Sequence, residues 1–350
     1  MTDSSSGNGN SKRGGALRRQ LAGSLGPFAA LAVVVALFAA VDFWKYGADQ
    51  TFLTVDNFLT TAQQATIVAT ASLGMLLIVL TGGIDLSAGV AMGLSTTAMA
   101  YILRDSGNVP LALAASIGVG LLTGFVNGLL ITGLRVVPFI VTLGTMSVFL
   151  GLAKRLGDSS SITPDRKTVP EWLRRFITYD VEHPWLIEYV LPNLAAAVWV
   201  FLALAAVLAV ILHRTVFGRY IFAVGSNEAT ARLCGINVTA VKIATYTLAG
   251  LFVGIAGIMN FARLSGSEPG GGRGKELEII AAVVVGGVSL SGGRGGVLGP
   301  IAGAQLLVVI SSGATLLELQ DYVRDLTLGA IIVAAAAIDQ LRIRRLAGSA

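Results

Sequence analysis

The sequence predicts an all-α polytopic membrane protein with about ten transmembrane helices. Of its 350 residues, 54% are hydrophobic and only 13% are charged, and the mean hydropathy is +0.76. A soluble globular chain carries about 25% charged residues. Several windows of about 20 residues are almost free of charge, and a helix of that length crosses the hydrocarbon core of a bilayer. The composition therefore excludes a soluble domain.

Ten candidate spans follow one another, and the third and eighth are short enough to be broken or re-entrant, so eight to ten membrane helices are expected. The spans lie near residues 22–44, 58–80, 88–104, 110–133, 138–156, 192–213, 240–262, 276–291, 296–316 and 322–341. The first apolar run is longer than the core of a typical signal peptide, which predicts an uncleaved helix. The polar residues 1–20 are expected to form a disordered cytoplasmic tail, and residues 21–345 the membrane domain.

The distribution of Lys and Arg predicts that both termini are cytoplasmic, because the short loops on that side then carry most of the basic residues. The long, charged loop 154–191 is then external, and the loop 214–240 is cytoplasmic. Basic residues that flank helices also explain the pI of about 9.5, and they do so without a nucleic-acid partner.

A short helix is predicted inside the cytoplasmic loop, from Ser226 to Leu233. Ser226 or Asn227 could cap its start, Glu228 favours its positive end, and Gly235 could end it. A helix of this kind between two spans is a candidate contact for a partner protein.

Two glycine-rich breaks interrupt apolar runs and resemble each other. TGGIDLSAG at 81–89 matches VGGVSLSGG at 285–293 with an offset of 204 residues. Residues Gly82, Gly83 and Ser87 of the first break recur as Gly286, Gly287 and Ser291 of the second. Transporters are often built from two related halves, so the match predicts an internal repeat. Chance is the alternative, because the chain contains 43 glycines.

Asp85 is a carboxylate inside one of these breaks, and charges within a membrane are rare, costly and usually functional. One interpretation places Asp85 beside the path of a hydroxyl-rich solute, since a carboxylate accepts hydrogen bonds from sugar hydroxyls. The other makes it a cap that bonds the amides of Ser87 and Ala88 at the start of the next helix, a common use of Asp.

Further polar residues lie among apolar ones in the fourth and fifth spans. Pro138 can start the fifth helix. Asn127, Thr142 and Thr145 are candidates to line a path. The alternative is that they bond their own backbone or a neighbouring helix, which is the commoner use of such residues in membranes.

No constellation for catalysis or metal binding is found in the sequence. The single cysteine, Cys234, and two distant histidines form no ligand set, and no nucleophile triad or HExxH motif occurs. PGGGRGKE at 269–276 departs from a phosphate-binding loop at Pro269 and Glu276. We therefore expect neither an enzyme nor a cofactor. An ion-coupled transporter or channel would share the hydropathy, but it would need several buried ionisable residues.

Four stretches carry a resemblance to a known family. They are GGIDLSAG, VPFIVTLGTMSVFLG, GRYIFAVGSNEATARLCGINV and VVVGGVSLSGGRGGVLGPIAGA, in this order. Together they resemble the membrane permeases of bacterial ABC sugar importers, the ribose/xylose/galactose branch of the branched-chain amino acid permease superfamily. The likeness runs from about residue 55 to 345. The chain departs from the family pattern at Thr230, at Cys234 and in the extended loop 154–191.

The resemblance implies a permease in the bacterial cytoplasmic membrane that forms the path for a pentose or hexose. It implies a second permease subunit, in a homodimer or paired with a similar chain, two cytoplasmic ABC ATPase subunits and an extracytoplasmic sugar-binding protein. It also places part of the cytoplasmic loop at the groove of the ATPase, with contacts from Ser226, Glu228, Ala229, Arg232 and Gly235. The residues of the two breaks and of the fourth and fifth spans are the candidates for a translocation path or hinge: Gly82, Gly83, Asp85, Ser87, Asn127, Pro138, Thr142, Thr145, Gly286, Gly287 and Ser291.

Overall fold

The computed structural model describes residues 9–47, 50–177 and 195–347. The described residues form the following helices: α1 (Gly9–Tyr46), α2 (Val55–Leu80), α3 (Ala88–Ser106), α4 (Val109–Leu134), α5 (Pro138–Leu156), α6 (Glu171–Arg174), α7 (Ala196–Arg214), α8 (Val216–Ser226), α9 (Glu228–Leu233), α10 (Val238–Leu264), α11 (Lys275–Val285), α12 (Leu298–Leu316) and α13 (Asp321–Ala347). No strand is present in these ranges beyond one isolated bridge between Ile162 and Ser267. The all-α prediction is confirmed.

Seven helices in the described part of the chain are long and apolar enough to cross a membrane: α1 from Gly26, α2, α4, α5, α7, α10 and α12. They coincide with seven of the ten predicted spans. The third predicted span is the continuous helix α3, which is buried from Ala88 to Ala100 and so packs against protein rather than lipid. Its small and hydroxyl side chains suit such packing. The tenth predicted span corresponds to α13, whose apolar stretch is limited to residues 325–337.

Two predicted segments fall partly outside the described residues. Residues 1–8 of the expected tail and residues 178–194 of the expected external loop are among those that the structure does not describe. Helix α1 begins at Gly9, within the segment for which the sequence predicts disorder. The Ala, Leu and Arg residues at positions 16–19 are strong helix formers.

Helix α2 lies at the centre of the bundle and is buried at every position from Ala65 to Leu80. Beside it, α4 and α10 approach so closely that only glycine fits between them. A Cβ added at Gly120 would overlap the carbonyl oxygen of Gly250, and one at Gly124 would overlap that of Tyr246. Small residues of this kind allow the backbones of membrane helices to touch. The pair therefore forms one tightly packed unit.

The segment between α10 and α11 turns back into the bundle. The hydroxyls of Thr97 and Ser267 lie 2.8 Å apart, and Gly89 and Gly93, nearer the start of α3, both lie against Gly272. Between its contacts with Thr97 and with Gly89, the segment therefore advances about 12 Å along the axis of α3, since these two residues are eight positions apart. Helix α11 then runs for 11 residues, roughly 16 Å or half a bilayer. The eighth predicted span, 276–291, therefore begins with the half-helix α11, and the segment 265–274 before it is re-entrant.

Candidate functional site

The break after α2 is a glycine turn. The amides of Gly82 and Gly83 donate to the carbonyl oxygens of Val79 (2.9 Å) and Ile78 (3.0 Å), which is the hydrogen-bond pattern of a Schellman C-cap. Gly82 has a φ of +78°, in the left-handed region where a Cβ is unfavourable. The turn thus requires glycine at position 82.

The break after α11 has the same geometry, one residue later than the sequence alignment predicts. The amides of Gly287 and Val288 donate to the carbonyl oxygens of Val284 (2.9 Å) and Val283 (3.2 Å), and Gly287 has a φ of +81°. Gly287 is therefore the structural counterpart of Gly82. The offset is 205 residues, since 287 − 82 = 205, and the predicted pairing of Gly82 with Gly286 is wrong.

The sequence alignment matched identical residues of the two breaks. The turn, however, requires glycine only at the residue with a left-handed backbone conformation, which is Gly82 in the first break and Gly287 in the second. Gly286 has another reason to be glycine, because a Cβ there would overlap the backbone of Gly299. The two breaks also differ in length, since α3 begins soon after the first and α12 begins only at Leu298. Ser291 is exposed and does not share the surroundings of its predicted partner Ser87, which is fully buried.

A buried polar cluster occupies the first break. Both the amide (2.7 Å) and the hydroxyl (2.6 Å) of Ser87 donate to Asp85 Oδ1. Asn127 Nδ2 donates to Ser87 Oγ at 2.8 Å and lies 3.4 Å from Asp85 Oδ2. All three side chains are buried. The carboxylate thus binds the amide of Ser87, one of the two amides that the capping interpretation names, while the N-cap residue of α3 is Ser87 itself. The carboxylate also contacts Asn127 of α4.

Helix α5 joins the same cluster through two threonines. Thr145 Oγ1 donates to Asn127 Oδ1 at 2.7 Å, and Thr142 Oγ1 accepts from the amide of Leu86 at 3.1 Å. Pro138 is the first residue of α5, as predicted. The structure therefore brings Asp85, Ser87, Asn127, Thr142 and Thr145 together, and the first break is tied to both α4 and α5.

Tyr246 is a neighbour of this break that the sequence analysis missed. It is 1% exposed, and its hydroxyl is buried and has no hydrogen-bond partner among the residues that the structure describes. A Cβ added at Gly83 would lie 2.6 Å from that hydroxyl, so glycine at position 83 makes room for it. A lone tyrosine in an apolar helix gives no pattern that would single it out.

The two breaks meet the end of α8 at a contact between main chains. The amide of Gly293 donates to the carbonyl oxygen of Leu80 at 2.9 Å. A Cβ added at Gly225 would overlap that same oxygen and would lie 2.7 Å from the Gly293 nitrogen. A Cβ at Gly292 would lie 2.9 Å from the amide nitrogen of Gly82. We name Leu80, Gly82, Gly225, Gly292 and Gly293 the glycine junction.

The predicted helix of the cytoplasmic loop is α9. Its cap is Asn227, whose side chain accepts from the amide of Thr230 at 2.8 Å, while Ser226 is the last residue of α8. Gly235, with a φ of +80°, follows its end. Ala229, Arg232 and Leu233 are exposed on α9; Leu233 is 89% exposed and was not singled out from the sequence.

Two ion pairs fix Glu228 on α9. It lies 3.1 Å from Arg232 and 2.6 Å from Lys242, near the start of α10. Lys242 first, and then Arg232, hold the pKa of the Glu228 carboxyl below its usual range, because nearby cations favour the ionised form. Glu228 therefore connects α9 to α10 as a charged group.

Comparison with known proteins decides the family. Residues 57–336 match the family described as branched-chain amino acid transport system / permease component. The chain belongs to this permease family. No solved structure matches it.

Relatives of this permease are named sugar importers. It is 35% identical to the ribose import permease of Escherichia coli (strain K12), over 82% of this chain and 87% of that one. It is likewise 35% identical to the ribose import permease of Bacillus subtilis (strain 168), over 90% and 92%. The identity to the galactose/methyl galactoside import permease of Escherichia coli (strain K12) is 33%, over 89% and 94%. The resemblance to sugar import permeases is confirmed, and the chain is a multi-pass membrane transport component.

Proposed function

We propose that this permease is the membrane subunit of an ATP-driven importer for a monosaccharide, a pentose or a hexose. It works as a homodimer with two cytoplasmic ABC ATPase subunits, and an extracytoplasmic sugar-binding protein delivers the solute. The observation that carries the proposal is the glycine junction. It sets the end of α8, immediately before the exposed helix α9, directly against both breaks of the membrane domain.

Two routes connect α9 to the first break. In one route, a displacement of α9 moves Gly225, which is in contact with Leu80 and Gly293. In the other, the pair between Glu228 and Lys242 moves the start of α10, which carries Tyr246 against Gly83. Tightly packed backbone transmits displacement because it has little room to deform. An ATPase that moves α9 would therefore move the first break through two contacts.

The polar cluster at the first break is the proposed hinge and part of the solute path. Its carboxylate and amide groups are bonded to one another here, so they are closed to solute in this arrangement. A shift of the break relative to α4 and α5 would free Asp85 and Asn127 to accept hydrogen bonds from sugar hydroxyls. Asp85 thus serves first to fix the hinge, and it becomes a solute contact only when the hinge opens.

An ion-gradient transporter is the competing function, and one purification separates the two. Tagged permease is isolated from its native membranes in mild detergent, and the proteins that accompany it are identified by mass spectrometry. A P-loop ATPase should accompany the wild-type chain and be lost from the Glu228→Ala/Arg232→Ala variant. The matched control is Glu171→Ala/Arg175→Ala, which removes another exposed pair with the same i,i+4 spacing, at 2.7 Å, between the first residue of α6 and the residue that follows its end. Solute movement by the permease alone in vesicles without ATP would overturn the proposal.

A further inference from the structure

A second feature of the bundle is a cavity beside α11 that is lined by both polar and apolar side chains. None of its lining residues belongs to the polar cluster of Asp85, Ser87 and Asn127. The cavity has a volume of about 130 Å³ and lies between α2, α3, α10, α11, α12 and α13. Apolar side chains, among them Ile67 and Leu307, form part of its wall. The polar side chains that line it are Gln64, Asn260, Arg263, Lys275, Glu278 and Ser311. It therefore offers both donors and acceptors in a confined space.

An ion pair lies in the wall of this cavity and inside the bundle. Lys275 Nζ is 2.7 Å from Glu278 Oε2, and the side chains are only 29% and 16% exposed. The re-entrant segment before α11 carries this pair inward along α3, toward Gly89. Burial of an ion pair costs desolvation and contributes little to stability, and ionisable groups at membrane depth usually mark solute pathways. The pair therefore lies where a solute in the cavity could reach both charged groups.

We propose that this cavity is an outer binding subsite for one neutral monosaccharide; this rests on the proposed function. Glu278 accepts hydrogen bonds from sugar hydroxyls, while Lys275 and Asn260 donate to hydroxyl oxygens. The charges of Lys275 and Glu278 cancel, and Arg263, the third charged residue of the lining, is exposed and remains hydrated. The less exposed part of the wall therefore carries no net charge, which suits a neutral solute. At roughly 30 Å³ for each water, the cavity of about 130 Å³ holds about four waters, whose hydrogen bonds the hydroxyl groups of one sugar can replace.

Protection of an engineered cysteine tests this subsite in the complete complex. Ser311→Cys is placed in a Cys234→Ser chain, which removes the only native cysteine. The rate of labelling by a membrane-impermeant maleimide is measured with and without D-ribose, D-fructose or D-galactose. The matched control is Glu268→Cys, an exposed residue of the same outer segment that does not line the cavity. ATP-driven uptake of each sugar is measured in parallel.

At least one sugar should slow labelling of Ser311→Cys by about fivefold, as expected for a site near four-fifths occupancy, and should leave Glu268→Cys unchanged. Adding Glu278→Gln, which keeps the side-chain shape, should abolish this protection. Unchanged labelling at Ser311→Cys, equal slowing at Glu268→Cys, or full protection with Glu278→Gln would each overturn the subsite. If sugar is imported without protection, only the subsite fails. If protection occurs without ATP-driven import, the subsite stands and the proposed function fails.

Discussion

The amide of Gly293 donates a 2.9 Å hydrogen bond to the carbonyl oxygen of Leu80, so the break after α11 is bonded to the last residue of α2. A Cβ at Gly225 would overlap the same oxygen. Three segments that are distant in sequence, at Leu80, Gly225 and Gly293, thus have their main chains in contact at this hydrogen bond. The contact lies next to α9, the helix proposed to contact the ATPase.

Gly225→Ala should uncouple the transporter. The added methyl group has to displace Leu80 or Gly293, and overpacking of this kind costs about 1–3 kcal/mol. We expect sugar uptake to fall about tenfold, the equivalent of roughly 1.4 kcal/mol, while the ATPase subunits still bind and hydrolyse ATP. The measurement is uptake and ATP hydrolysis in proteoliposomes. Gly133→Ala is the control, because a Cβ there meets nothing within 4 Å; equal uptake by the two variants would contradict the role of the junction.

Asp85→Asn should impair uptake and leave assembly intact. The amide keeps the size of the carboxylate but weakens the charge-assisted bonds from Ser87, and such bonds contribute about 1.5–3 kcal/mol. We expect uptake to fall by roughly tenfold or more, with an unchanged elution profile in size-exclusion chromatography. Asp158→Asn, at a side chain that is 83% exposed, provides the control. Normal uptake by Asp85→Asn would remove Asp85 from the proposed hinge.

Substitutions at Gly82 and Gly287, the two glycines with a left-handed backbone conformation, should reduce stability in the same order at both breaks. At Gly82 and at Gly287 we expect Asn to be tolerated best, Ala to cost about 1–2 kcal/mol and Val to cost more, because Asn adopts the left-handed conformation most readily. The thermal midpoint of the purified protein in detergent reports the order. A different order at Gly287 would contradict its equivalence with Gly82.

Labelling of Cys234 should establish the orientation of the chain. Cys234 is exposed at the end of α9, which is proposed to lie in the cytoplasm. A membrane-impermeant maleimide should therefore label it in inside-out vesicles and not in intact cells. The control is Ser161→Cys in a Cys234→Ser chain, at an exposed position of the loop 154–191. This cysteine should be labelled in intact cells and not in inside-out vesicles. Labelling of Cys234 in intact cells would reverse the topology.

The contact between α9 and α10 should be independent of pH across the neutral range. The pKa of Glu228 is lowered in the fold, so its contribution to stability is complete above the ordinary Glu value of 4.5 and is lost as the pH falls through the lower folded value. Co-purification of the ATPase should thus be constant between about pH 6 and 8. Glu228→Gln should weaken it throughout that range, and a decline of the wild type near neutral pH would contradict the assignment.

Features that depend on local chemistry could be predicted from the sequence. Hydropathy predicts the long apolar helices, and capping residues predict α9 to within two residues of its start. The bond from the amide of Ser87 to Asp85 is an Asx-turn, which is a local preference of Asp. In each case the cause lies within a few residues of the effect.

Features that depend on contacts between distant segments could not be predicted. Gly225 looks like any other glycine until Leu80 and Gly293 are placed against it. The segment 265–274 is glycine-rich and charged, which is typical of a solvated loop, and only its contacts with Gly89 and Gly93 show that it enters the bundle. The true offset between the breaks was hidden because Gly286 is held by packing and Gly287 by its backbone conformation.

The glycine junction contains no side-chain chemistry that could discriminate between solutes. Its contacts are between main-chain atoms, and its one requirement is the absence of a Cβ at a few positions. In the proposed importer, transmission of movement and recognition of the solute therefore depend on separate sets of residues. We expect that side chains of the proposed path can change without loss of the main-chain contacts that couple the membrane domain to the ATPase.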